Sequence, residues 1–222
     1  MQDALRASDP LRAEWVTVLL FLVVASLIAI NRGAPRQWRS VVRAAFSMRL
    51  GRQALREEMD LQDRSFLGLL LIGATLLTLF AWQVLTFASI PGAFLSLLGV
   101  LIAVLLAHTL LMSAVNLVMR NAPGVEEYLF TGFVLFIVAG LVLLPLVVFV
   151  AYRPPWRPWA VGVGAVLLVL VLLYRWLRGV WIGLGEGVPL RYIILYFCAA
   201  ELTPVLLVVA HWRSTHPSLF HS

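Results

Sequence analysis

Glu201 carries the strongest chemical signal in the chain. It lies ten residues past Arg191 in an apolar run, roughly 15 Å along a helix axis. That places a carboxyl near the middle of a hydrocarbon core about 30 Å thick. An acid there is costly by about 3 kcal/mol on insertion scales and must face a protein interior. Pro204 follows three residues later and cannot donate to the carbonyl of Ala200. A carboxyl beside a freed carbonyl suits a proton or cation. A protonated Glu bonded across helices as packing glue suits the same pattern. His108 falls at the same expected depth in another apolar run, and Asn116 lies eight residues on, close to the same face. Such a pair relays protons or holds a ligand, or is a satisfied interior contact. Cys198 shares a helical face with Glu201, and Gln83 and Thr86 add polar groups elsewhere.

A second constellation is basic. Arg32, Arg36, Arg39 and Arg43 are spaced four, three and four apart, so they share one helical face. Trp38, Val41, Val42 and Ala45 form an apolar stripe beside them. This suits an amphipathic helix on an anionic lipid surface, or a face for a partner protein. A solvated positive-inside loop is the plainer reading of the same residues.

These groups need a membrane to hold them. The chain has 222 residues, 62% hydrophobic and only 13% charged, with a mean hydropathy of +0.95. A soluble globule is roughly a quarter charged, so a soluble domain, a disordered chain and a coiled coil are excluded. All 17 basic residues are arginine and the net charge is +6. In a membrane protein this excess reads as topology, and no nucleic acid is expected as partner. One cysteine leaves no intrachain disulfide and no cysteine cluster for a metal.

Six spans are expected, at about 15–30, 65–90, 94–118, 127–152, 159–177 and 191–210, in a single all-α polytopic domain over 1–222. A cytoplasmic Arg-rich amphipathic helix or loop fills 31–64. No small-x-small cleavage site ends the first span, so it is expected to be retained. Short loops make successive spans antiparallel neighbours. Pro91-Gly92 and Arg153-Pro154-Pro155-Trp156 are turns, and Gly183, Gly185 and Gly187 mark a loop after the fifth span. Placing the basic loop inside puts twelve arginines there against five outside. Both termini are then expected in the periplasm. Trp15, Trp156, Trp159, Trp176, Trp181 and Trp212 sit at span ends, as an aromatic belt requires.

Two motifs fail on their chemistry. Glu126-Glu127-Tyr128-Leu129-Phe130-Thr131 looks like the Glu-Glu-x-x-x-Arg signature of membrane-embedded prenyl-protein proteases, whose paired acids activate water. Thr131 stands where that family has Arg, and no suitably spaced His follows within a span. The acids read instead as a helix start, where negative charge is favourable. Gly183-Leu184-Gly185-Glu186-Gly187 follows a membrane helix and lacks the Lys-Ser/Thr of a phosphate loop. If the fifth helix extends that far, Gly179 and Gly183 allow close helix packing.

The last run, Leu195-Tyr196-Phe197-Cys198-Ala199-Ala200-Glu201-Leu202-Thr203-Pro204, resembles the terminal helix of a family of Bacteroidota integral membrane proteins, domain of unknown function 4271. Tyr174-Arg175-x-x-Arg178-Gly179 looks similar as well. The resemblance implies a bacterial inner-membrane protein in which Tyr196, Cys198, Glu201 and Pro204 act as one unit. It supplies no catalytic residue, substrate or cofactor. No catalytic, cofactor or metal site is expected from the chain. The leading expectation is a non-enzymatic membrane subunit, scaffold or assembly factor of an envelope complex. Its expected partners are the bilayer, anionic headgroups, and a protein partner or a second copy. A proton- or cation-coupled carrier using Glu201 and His108 is the alternative, and a membrane-embedded enzyme the third.

Overall fold

A computed structural model describes residues 11, 14–35, 38, 41, 44–45, 64–87, 94–118 and 125–185. It is helical, with no strand among the described residues. Five long helices follow one another: α1 (Glu14–Gly33), α2 (Arg64–Phe87), α3 (Phe94–Val118), α4 (Val125–Tyr152) and α5 (Arg157–Gly185). A 3-10 turn, Pro154–Trp156, joins α4 to α5. The chain divides into two compact units, Met1–Trp176 and Leu177–Ser222. Of the second, the described part is the end of α5.

All five helices are long and apolar enough to cross a membrane. The expected boundaries of the first four differ from the observed ones by three residues or fewer. The fifth differs more. It runs helical through Gly179, Gly183 and Gly185, where the glycines suggested a loop from Gly183 onward. A glycine inside a helix costs only about 1 kcal/mol relative to Ala, too little to end a run of Leu, Trp, Val and Ile. The expected sixth span, 191–210, lies outside the described residues. Pro145 sits inside α4, which continues through it. The ring deprives the Leu141 carbonyl of its helical donor, a loss that membrane helices tolerate when neighbours compensate.

Packing centres on α2 and α4, which approach at glycine. A Cβ added to Gly140 would stand 2.6 Å from the Gly73 Cα, and one added to Gly73 would stand 3.1 Å from the Ile137 Cα. Small residues let helix backbones meet where lipid offers no hydrophobic drive to bring them together. Around this contact Leu69, Leu76 and Leu79 of α2 and Val134, Ile137 and Val147 of α4 are fully buried. Val16, Leu20 and Val23 seat α1 on the same core. Further along, Gln83 Nε2 donates to the Val147 carbonyl at 3.1 Å. The Thr17 and Tyr152 hydroxyls meet at 2.6 Å, joining α1 to α4. By contrast α3 turns Leu95, Val100, Leu106, Leu110 and Leu117 outward. Such a surface suits acyl chains, which are as apolar as leucine.

One part of the basic loop is built into the bundle. Val41, Ala44 and Ala45 are buried with Phe66 and Leu69 of α2 and Phe130, Val134 and Ile137 of α4, and Trp38 packs against them. Phe66 and Phe130 stack beneath at 6.0 Å between centroids. The apolar stripe, for which the sequence allowed a lipid surface, a partner or a solvated loop, is thus covered, in its described residues, by the chain's own helices. The reason is that Phe66 and Phe130 open an aromatic platform at this end of α2 and α4, against which small alanines fit closely.

Candidate functional site

Three helices contribute to one polar cluster inside the first unit. Arg175 projects from α5, His108 from the middle of α3, and Tyr128, Thr131 and Gly132 from the first two turns of α4. Arg175 Nη2 lies 3.0 Å from His108 Nε2. Its Cζ sits 5.4 Å from the centre of the Tyr128 ring. A Cβ added to Gly132 would meet the same guanidinium at 3.5 Å, an ordinary van der Waals contact, so the cation lies directly over this turn of α4.

The chemistry of this arrangement is constrained. A guanidinium only donates, so His108 Nε2 accepts, and the imidazole is neutral with its proton on Nδ1. Arginine keeps its charge under all ordinary conditions. The ring face of Tyr128 adds a cation–π attraction that strengthens with desolvation. On the same turn Glu127 is 5% exposed and Thr131 2% exposed. The Thr131 hydroxyl has no hydrogen-bond partner among the described residues. Glu126 and Glu127 occupy the first turn of α4, as the helix-start reading of the Glu-Glu pair requires. The cluster is therefore a fixed cation with an oriented neutral histidine, held at the junction of α3, α4 and α5. Among the described residues no group of three His, Cys, Asp or Glu is placed to hold a metal ion.

A second link reaches the basic loop from the neighbouring residue. The Tyr174 hydroxyl donates to the Ala45 carbonyl at 3.1 Å, so one turn of α5 reaches both the polar cluster and the docked loop segment.

Of the residues singled out in the sequence, His108 stands in this cluster. Arg32 is exposed in the last turn of α1. Asn116 lies on α3, with its side chain outside the described set. Glu201, Cys198, Pro204, Arg36, Arg39 and Arg43 lie outside the described residues. Sequence reading missed Arg175 as a site residue by counting it as a flanking charge. The signal was present: Arg175 falls two residues inside the expected end of the fifth span, and an arginine within a span needs a partner. Tyr128 and Gly132 carried no such mark.

Five helices long and apolar enough to cross a membrane, three of them meeting at an arginine–histidine contact, define a helical protein suited to a membrane. Its family model is the domain of unknown function DUF4271, matched over residues 16–211. The chain belongs to that family. No curated protein and no solved structure matches it.

Proposed function

We propose that this chain is a non-enzymatic, multi-pass inner-membrane scaffold whose arginine face docks an acidic partner protein. The observation that carries the reading is the burial of Val41, Ala44 and Ala45 against α2 and α4. On helical spacing in the sequence, Arg36, Arg39 and Arg43 fall about half a turn from that buried stripe, while Arg32 belongs to the last turn of α1, which ends at Gly33. A segment held by its apolar face leaves its basic face available. Arg32 is exposed, and the Tyr174 bond to Ala45 fixes the segment to α5 as well. The polar cluster then serves as the joint that holds α3, α4 and α5 in register.

The test is a pull-down in mild detergent with the wild type and with Arg32, Arg36, Arg39 and Arg43 all changed to Gln. The scaffold reading expects a stoichiometric acidic partner on the wild type and its loss on the variant, with unchanged thermal stability. The same partner on both would end it.

The carrier reading keeps one observation in its favour. Thr78 Oγ1, Gln83 Oε1 and Thr86 Oγ1 are buried on α2 with no hydrogen-bond partner among the described residues. Orphaned oxygens inside a membrane bundle suit water or a passing cation. Under that reading Glu201 and His108 carry the proton, and His108 has to release Arg175 to do so. A proton-flux assay in proteoliposomes decides it: uptake abolished by Glu201→Gln supports the carrier, and no uptake by the wild type removes it.

A further inference from the structure

A groove of about 1400 Å³ opens between α1, α2 and the first turn of α3. Pockets for drug-sized ligands run about 300–1,000 Å³, so this groove suits something larger. Its two ends differ in chemistry. At one end Trp15, Trp82 and Phe94 close the groove, with ring centroids 5.0 Å apart for the tryptophans and 5.4 Å for Trp15 and Phe94. At the other end stand Gly33, Arg64 and Ser65. The walls between are apolar, formed mainly by Val18, Leu22, Leu71 and Ile72. α3 lines the groove only through Phe94, Leu95 and Leu98, so the third wall is confined to the ring end. Arg64 to Trp82 is eighteen residues of helix, roughly 27 Å. The groove therefore follows nearly the whole hydrocarbon thickness of about 30 Å.

The charged end is the informative one. Arg64 is the first residue of α2, and it is exposed. Arg32, also exposed, sits in the last turn of α1 at the same end. A helix start also presents backbone N–H groups that lack helical acceptors and favour an anion. An apolar channel with cations at one mouth and a ring of aromatics at the far end has the polarity of a phospholipid. A membrane helix from a partner would need the apolar walls but not the cation.

We propose that this groove is a binding site for an anionic membrane phospholipid. The phosphate is held at Arg64 and the start of α2. The acyl chains run over Gly68, Ile72 and Thr75 toward the Trp15–Trp82–Phe94 rings. The lipid would fill the space between α1 and α3 that α2 alone leaves open. Arg32 borders both this mouth and the face proposed to dock a partner, but the phosphate contact rests on Arg64, which the scaffold reading does not use, so Arg64→Gln tests the lipid site apart from that reading.

Native mass spectrometry of the full chain tests it, in detergent doped with equal amounts of phosphatidylglycerol and phosphatidylethanolamine. The wild type is expected to retain phosphatidylglycerol over phosphatidylethanolamine by about five-fold, the weight of one arginine at an anionic headgroup. Arg64→Gln should bring the ratio close to one. Arg153→Gln, an exposed arginine beyond the ring end of the bundle, should leave it unchanged. Thr75→Trp, which fills the groove, should lower retention of both lipids in a protein with a normal melting profile. Equal retention of the two lipids by the wild type would overturn the site. So would an unchanged ratio in Arg64→Gln, the result expected if the acids preceding Arg64 neutralise it. A co-purified protein that displaces both lipids would assign the groove to a partner helix instead.

Discussion

Arg175 and His108, 67 residues apart in sequence, meet side chain to side chain at 3.0 Å. The contact gives α3 a polar hold on α5, although α3 otherwise turns much of its leucine outward. Removing His108 takes away this acceptor from a partly buried guanidinium N–H. His108→Leu should therefore cost about 1–3 kcal/mol, while His108→Gln, whose amide oxygen accepts, should recover most of it. His108→Leu combined with Arg175→Leu should be less destabilised than the sum of the singles by at least about 0.5 kcal/mol. Thermal unfolding in detergent measures all four. Strict additivity would mean that the two side chains do not pair.

How much of this was legible in the sequence differs by element. α1 to α4 were readable because a membrane span is set by length and apolarity, and both lie on the surface of the sequence. The end of α5 was not, because glycine marks loops in water and helix contacts in membranes. His108 stood out as a titratable group in an apolar run. Its partner did not, since Arg175 close to a span end is equally well explained by topology. The burial of Ala44 and Ala45 was illegible for another reason: an amphipathic pattern specifies an apolar face and leaves open whether lipid or protein covers it.

The closest backbone approach yields a second prediction. Gly140→Ala would put a Cβ 2.6 Å from the Gly73 Cα. Backbone cannot swing aside as a side-chain tip can, so α2 and α4 have to separate. Overpacking of this kind costs about 1–3 kcal/mol. Gly99→Ala meets nothing within 4 Å and should stabilise α3 by roughly 0.5–1 kcal/mol through helix propensity. Melting curves of the two variants should move in opposite directions. A shift of the same sign in both would contradict the Gly73–Gly140 contact.

Orientation is tested by cysteine accessibility. From the arginine distribution the basic loop is expected in the cytoplasm. In a Cys198→Ser background, Ser40→Cys should resist an impermeant thiol reagent in intact spheroplasts and react after permeabilisation. Labelling of intact spheroplasts would reverse the topology and place both termini inside.

Glu201 separates titration from packing. Glu201→Gln keeps the shape, an acceptor and donors, but the amide cannot carry a proton at neutral pH. A packing role expects Glu201→Gln to fold and function as wild type. A carrier role expects normal melting with proton flux abolished. The two outcomes are read on the same purified protein, so a folding defect cannot pass for lost transport.

The docked loop makes the last prediction. Ala44 is 0% exposed and Ala45 5%, among Phe66, Leu69 and Phe130. A helix lying on lipid would accept a longer side chain at these positions, because acyl chains yield. A packed protein surface does not. Ala44→Leu should therefore destabilise the full chain by about 1–3 kcal/mol, the usual cost of forcing bulk into a filled core. On the scaffold reading, replacing Arg36, Arg39 and Arg43 with Gln should change stability by no more than about 0.5 kcal/mol. Cut out as a peptide, residues 33–56 lose the platform that covers the stripe. That peptide should bind anionic liposomes, and the Gln version more weakly. The contrast between chain and peptide carries the test. If Ala44→Leu leaves melting unchanged in the full chain, the stripe faces lipid in the protein too, and the arginines are committed to headgroups rather than to a partner.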